Sequence, residues 1–266
     1  KKILEKFKAI AKNDKKYSEF FDQFGRLIKE GVYQDFEHKE ALTELIRFKS
    51  SKKDGYTSLQ DYVDRMKKDQ KTVYYITGTN ESALRNSPLL EMYREKDIEV
   101  LILHDEIDEI IIPSIPKYKD YELKSVNRSG AADDLKDKSD KTKEEELKPL
   151  IKKIKDVLGD KVKDVKSSNR LSDSPSCIVA DENDPTSQMQ EIMKAMGQAG
   201  NMEVKPILEI NPNHQIVIKL KSMRKSKSFE DVSFLLYEQA LLQEGVKLEN
   251  PAGFVKRLNT VMEKAL

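Results

Sequence analysis

Ser58-Leu59-Gln60-Asp61-Tyr62-Val63-Asp64-Arg65-Met66-Lys67, followed by Gln70-Lys71-Thr72-Val73-Tyr74-Tyr75-Ile76-Thr77-Gly78, passes from a helix start into a strand within a short span. Ser58 stands three residues before Asp61. That is capping-box spacing, in which each side chain takes up the other's free backbone N–H, and the helix is expected to run through about Lys68. Thr72–Thr77, rich in β-branched and aromatic residues, reads as a strand, and so does Glu99–Leu103. Ser82–Tyr93 between them is helical in pattern. Strand, helix, strand at that interval predicts a βαβ crossover with a parallel pair, within a small α/β unit over 56–126.

Toward the N-terminus, 1–48 reads as a helical coil. Ile3, Leu4, Phe7 and Ile10 form one stripe, and Tyr17, Phe20, Phe21, Phe24, Leu27 and Ile28 a second, with Gly31 as its expected stop. Phe36, Ala41, Leu42, Leu45 and Ile46 mark a third helix, and short connections favour antiparallel packing. Lys1-Lys2-Ile3-Leu4-Glu5 reads as a helix already under way, without an initiator methionine or secretory leader. The chain is therefore expected to be a piece of a longer protein.

Toward the C-terminus, 127–146 alternates Asp, Lys, Ser and Glu with almost no large apolar side chain, and is expected to be a charged linker. A second α/β domain over 147–266 follows. Its first helix carries Leu147, Leu150, Ile151, Ile154 and Leu158 inward from a start near Glu145. Strands are expected at Val162–Val165, Cys177–Ala180 and Lys205–Glu209. Three helix starts are read from an Asx cap followed by proline: Asp184-Pro185, Asn211-Pro212 and Asn250-Pro251. Two amphipathic helices, 229–243 and 251–265, close the chain. The fold class is mixed α/β: a three-helix coil, a small α/β unit and a mixed C-terminal domain.

A chain of 266 residues fits about two domains at roughly 150 residues each. Its 48 Lys+Arg nearly balance 47 Asp+Glu, which argues against a strongly basic nucleic-acid binder. The most apolar run, Ile98 to Leu103, is far short of the about 18 residues a membrane span needs. One cysteine excludes an internal disulfide framework and points to a reducing, cytoplasmic setting.

Catalytic signatures are sparse. The ten glycines fall into neither GxxxxGK[ST] nor GxGxxG, and His38, His104 and His214 lack metal-ligand spacing. Cys177, in an apolar strand, reads as a small buried residue. His104-Asp105-Glu106 with Asp108-Glu109 could serve a metal-assisted enzyme at a strand end, or simply be the charged first turn of a helix. Met189, Met193 and Met196, with Ile192, share one helical face. That face suits either an ordinary core or an adaptable binding groove. The basic run of Lys219, Lys221, Arg224, Lys225 and Lys227 reads as a solvated helix end.

The stretch through Ser58–Gly78 resembles the middle domain of the 90-kilodalton heat-shock chaperone family. The likeness continues at Phe20-Phe21-Asp22-Gln23-Phe24-Gly25, Ser87-Pro88-Leu89-Leu90-Glu91, Arg170-Leu171-Ser172-Asp173-Ser174-Pro175 and Leu208-Glu209-Ile210-Asn211-Pro212-Asn213-His214. The absence of a long acidic linker and of a Met-Glu-Glu-Val-Asp tail is similar to the bacterial form. The resemblance implies a homodimeric, ATP-driven clamp, of which this chain supplies the late middle domain and the C-terminal dimerisation domain. ATP and magnesium would be held elsewhere in the longer protein. No catalytic, cofactor-binding or metal residue is then expected here, and this piece would not itself be an enzyme.

The resemblance also implies client contact through Met189, Ile192, Met193 and Met196, and through Glu109 and Ile110. A dimer interface is implied at Leu235, Leu236, Ala240, Leu241, Phe254, Leu258 and Met262. Expected partners are a second copy, partly folded client proteins and co-chaperones, with neither nucleic acid nor membrane. The sequence departs from the bacterial pattern at Ile110, where tryptophan is common, and at Pro185, where methionine is expected. A metal-assisted enzyme centred on His104 and Asp105, and a purely structural dimerisation module, are the rival readings.

Overall fold

The computed structural model describes residues 2–135, 140–197, 204–223 and 226–265. The chain divides into two units, one of Lys1–Arg85 with Lys96–Ser125 and one of Asn86–Glu95 with Val126–Leu266. The fold is mixed α and β, as the sequence predicts.

The first unit begins with α1 (Lys2–Ala11), α2 (Asp14–Gln34) and α3 (Lys39–Thr43). Asn13 starts α2, its side chain accepting from the Lys16 N–H at 3.0 Å. Gly31 does not end that helix. A Cβ at position 31 would stand 3.1 Å from Leu42 Cδ1, so the glycine serves a close approach of side chain to helix. The third helix is also shorter than expected: Leu45 and Ile46 are buried just beyond it, while Phe36 is 84% exposed.

Next come β1 (Lys49–Ser50), α4 (Leu59–Arg65), β2 (Thr72–Thr77), α5 (Glu81–Arg85), β3 (Val100–Leu103), α7 (Glu106–Ile111), β4 (Lys117–Tyr118) and β5 (Tyr121–Ser125), with α6 (Glu91–Glu95) belonging to the second unit. The sheet runs β1-β3-β2-β5-β4, with β2 parallel to both β3 and β5 and the outer pairs antiparallel. The expected parallel pair is present, Tyr74 opposite Val100. The Ser58 capping box forms as predicted, but α4 ends at Arg65 because Met66 takes extended backbone. The single helix expected over 82–93 is broken. Pro88 lacks an N–H, and a 3-10 turn at Pro88–Leu90 separates α5 from α6.

Tyr62 locks α4 to the sheet. Its buried hydroxyl donates to the Glu99 carbonyl at 2.6 Å and accepts from the Tyr74 N–H at 3.1 Å and the Gln70 side-chain amide at 3.0 Å.

The second unit holds α8 (Asp140–Leu158), β6 (Asp164–Ser167), β7 (Ser176–Val179), α9 (Ser187–Ala195), β8 (Ile207–Ile210), α10 (Gln215–Ser222), α11 (Lys227–Gln243) and α12 (Pro251–Ala265). β8 is central, parallel to β6 and antiparallel to β7. Leu147, Leu150, Ile154 and Leu158 of α8 pack with Val165, Leu208, Phe229 and Leu236 in one core. Within the charged linker expected at 127–146, of which 136–139 lie outside the described residues, the described parts are ordered into the unit. Ala131 and Ala132 are buried, Arg128 bridges Ala180, and α8 starts at Asp140 rather than near Glu145.

Of the three Asx-Pro helix starts, only Asn250 acts as read, its side chain accepting from the Gly253 N–H at 2.8 Å. Thr186 caps α9 in place of Asp184, and His214 caps α10 in place of Asn211.

Tyr62→Phe leaves the buried Glu99 carbonyl and Tyr74 N–H without this partner. It is expected to lower the stability of the first unit by about 1–3 kcal/mol in urea unfolding. An unchanged midpoint contradicts this role.

Candidate functional site

Three stretches that carry the family resemblance meet inside the second unit. The Glu91 carboxylate accepts from the backbone N–H groups of Ser172, Asp173 and Ser174 at 2.7, 3.0 and 3.2 Å, and from the Ser174 hydroxyl at 2.5 Å. Asn211 donates to the carbonyls of Ser172 and Ser174. Arg170, 2% exposed, pairs with buried Glu209 at 3.0 Å and donates to the Val126 and Arg128 carbonyls at 2.6 and 3.0 Å. This scaffold was not foreseen. The available signal was Glu209 itself, an acid between Leu208 and Ile210 in a strand otherwise apolar.

The same unit carries α9. Thr186 Oγ1 accepts from the Met189 N–H at 3.1 Å, and none of the helix is buried. Met189, Ile192 and Met193 are half-buried and Met196 is 60% exposed. All four share one face and lie outside the main core of the unit. The stripe is thus partly covered, with Met196 its exposed member.

The closing helices divide differently from the expected interface. Leu236 and Ala240 of α11 are 1% and 0% exposed, packed into the core of their own unit instead of facing outward. Leu235, Leu241 and Phe254 are half-buried. α12 buries no residue: Val255, Leu258 and Met262, at i, i+3 and i+7, are exposed, as is Leu242 at the end of α11. Arg257 ties α12 to α11 by pairing with Glu238 at 3.1 Å, its guanidinium 5.0 Å from the Phe234 ring. Val255 and Leu242 were not foreseen as exposed; helical period alone does not say which apolar face a neighbour covers.

The acidic patch after β3 is a helix start. Asp105 caps α7, and Asp108 Oδ2 accepts from the Asp105 N–H at 3.3 Å. Lys29 Nζ lies 2.5 Å from Asp105 and 2.8 Å from Asp108, so both carboxylates are engaged. Burial works to raise the Asp105 pKa, but Lys29 holds it below the usual carboxylate range. Burial pushes Asp108 up to about 6, Lys29 opposing. Glu109, expected on a client-contact patch, is 6% exposed and thus enclosed, with Ile110 half-buried beside it. Among the described residues no three His, Cys, Asp or Glu side chains are placed to hold a metal ion. Cys177 is buried, and burial followed by nearby Glu209 pushes its thiol up, away from the reactive thiolate.

The family stretches thus converge in a buried polar scaffold, and the same unit carries helices whose apolar side chains are only partly covered. The family model described as Hsp90 protein matches residues 1–266, and the chain belongs to that family. It is 55% identical over 271 residues to the chaperone protein HtpG of Treponema denticola, covering 98% of this chain and 42% of that protein. It is 47% identical over 267 residues to that of Borrelia garinii subsp. bavariensis, covering 100% and 43%. It is 48% identical over 271 residues to that of Aliarcobacter butzleri, covering 100% and 42%. The chain thus spans less than half the length of these curated relatives. No helix among the described residues is long and apolar enough to cross a membrane.

Because the folded Asp108 pKa lies above its unfolded value near 3.8, the folded state holds that proton more firmly. The stabilisation is present below about pH 4 and is lost as pH rises through about 6. Asp108→Asn is expected to gain about 2 kcal/mol on the parent chain between about pH 4.5 and pH 7 in urea unfolding. A pH-independent difference contradicts the assignment.

Proposed function

We propose that the chain is the part of an Hsp90-type chaperone that joins two copies and offers partly folded proteins an adaptable apolar surface. The observation that carries the reading is that two apolar stripes stay incompletely covered on helices otherwise well formed: Met189, Ile192 and Met193, half-buried, with exposed Met196 on α9, and exposed Val255, Leu258 and Met262 on α12. Membership of the Hsp90 family and the chaperone names of its relatives support it. ATP with magnesium, and any co-chaperone, would engage the longer protein, and no residue here is assigned to them.

The two stripes suit different tasks. On α12 the spacing is that of a helix seam, and a second copy can bury it symmetrically. Val255, Leu258 and Met262 are already about half covered, so each gains only part of the about 1.5–3 kcal/mol of full burial, and a dimer also needs Leu242 and the neighbouring half-buried side chains in the seam to offset the cost of association. On α9 unbranched methionines can follow many apolar shapes at modest affinity. The metal-assisted enzyme reading is not favoured, since Asp105 and Asp108 serve the α7 start and Lys29. A purely structural dimer would leave the α9 stripe without a role.

Sedimentation at micromolar concentration is expected to give a dimer, and Leu258→Asp with Met262→Asp a folded monomer; a monomeric parent rejects the joining role. Met189→Ser with Met193→Ser is expected to weaken binding of reduced, carboxymethylated α-lactalbumin about tenfold. Undiminished binding by the folded variant rejects the α9 surface.

A further inference from the structure

The turn leading into α9 is built around one side chain from a distant part of the second unit. Arg128 Nη1 donates to the carbonyls of Asp181, Glu182 and Asp184 at 3.1, 2.8 and 2.5 Å. The Asp184 N–H donates to the Asp181 carbonyl at 3.1 Å, closing the turn over the guanidinium. Outside it, Lys163 spans the Asp181 and Asp184 carboxylates at 2.6 and 2.7 Å. Thr186, the cap of α9, follows two residues later.

Arg128 is itself held firmly. Its carbonyl accepts from buried Arg170 at 3.0 Å. On either side the Ala180 N–H donates to the Asn127 carbonyl at 2.9 Å, and the Ser129 N–H to the Ala180 carbonyl at 2.8 Å. α9, by contrast, has nine residues and buries none of them. A helix so short is marginal on its own in water. Its direction therefore depends heavily on how its N-terminal end is fastened, and the fastening is a cation gathering three carbonyls of one turn, of which that of Asp181 also accepts the Asp184 N–H.

We infer that Arg128 is a positioning residue for α9: it fixes the 181–184 turn and thereby the direction in which Met189, Ile192, Met193 and Met196 are presented. A link runs from the buried Arg170–Glu209 pair through the backbone at 126–128 and the Arg128 side chain to the turn that leads into the methionine stripe. The side chain's hydrogen bonds go to the turn and not to the stripe itself. Its bearing on partly folded proteins rests on the proposed function above, whereas its hold on the helix does not.

The test is hydrogen exchange on the full chain for Arg128→Ala and Arg128→Lys, with binding of reduced, carboxymethylated α-lactalbumin measured alongside. Arg128→Ala is expected to speed exchange of amides in 181–196 about tenfold, with β8 unchanged. It is expected to weaken probe binding several-fold. Lysine, which can also donate to clustered carbonyls, is expected to restore most of the protection. Unchanged exchange in 181–196 overturns the inference. So does acceleration spread equally over β6, β7 and β8, which marks general destabilisation, or a lysine variant no better than alanine. Local acceleration with undiminished probe binding upholds the positioning role and rejects α9 as the client surface.

Discussion

Arg170 and Glu209 form a charge pair almost wholly removed from water, and the second unit is organised about it. Burying two charges costs several kcal/mol per ion, and mutual attraction offsets this only when the remaining hydrogen-bonding capacity is met. Here it is met from several directions. Val126 and Arg128 supply carbonyls to the guanidinium, and the Ser168 hydroxyl donates to Glu209 at 2.9 Å. The pair therefore fixes three separate pieces of chain: the entry to the second unit, the loop after β6, and the central strand β8. Glu91 and Asn211 then fasten Ser172–Ser174 immediately beyond Arg170. Such an arrangement tolerates little displacement, because moving any one element strands a charge or a backbone group.

The exposed apolar helices are intelligible against this rigid centre. α11 covers the core with Leu236 and Ala240, and α12 leans on α11 through Arg257 and Glu238 instead of contributing buried side chains. α9 leaves its stripe half-buried or exposed behind a fastened turn. A well-determined frame carrying uncovered apolar faces differs from a loosely folded chain. On the proposed reading, covering these faces becomes the business of other molecules.

Legibility in the sequence followed the locality of the physics. β2 is readable to its ends, because its composition and the neighbouring Ser58–Asp61 box act within a few residues. β1, β4 and β5 are only two to five residues long and carry Lys or Glu, so no run of alternation announces them. Gly31 looks like a stop until Leu42 is seen packing against it. The methionine stripe and the terminal helices are plain in sequence, but their exposure is not, since periodicity fixes a face without naming what meets it. Thus Leu236 and Ala240 look like an interface and are core, and Glu109 looks like a surface acid and is enclosed. Arg170 and Glu209 lie 39 residues apart, each resembling the surrounding charges, and only the fold joins them.

A double-mutant cycle on this pair measures the constraint directly, using Arg170→Met, Glu209→Gln and both together in urea unfolding. Either single change is expected to cost about 3–5 kcal/mol by leaving its partner buried and unmatched, and the double change clearly less than the sum, with coupling of about 2 kcal/mol or more. Losses that add to within about 0.5 kcal/mol would contradict the account, because the two side chains would then be acting independently.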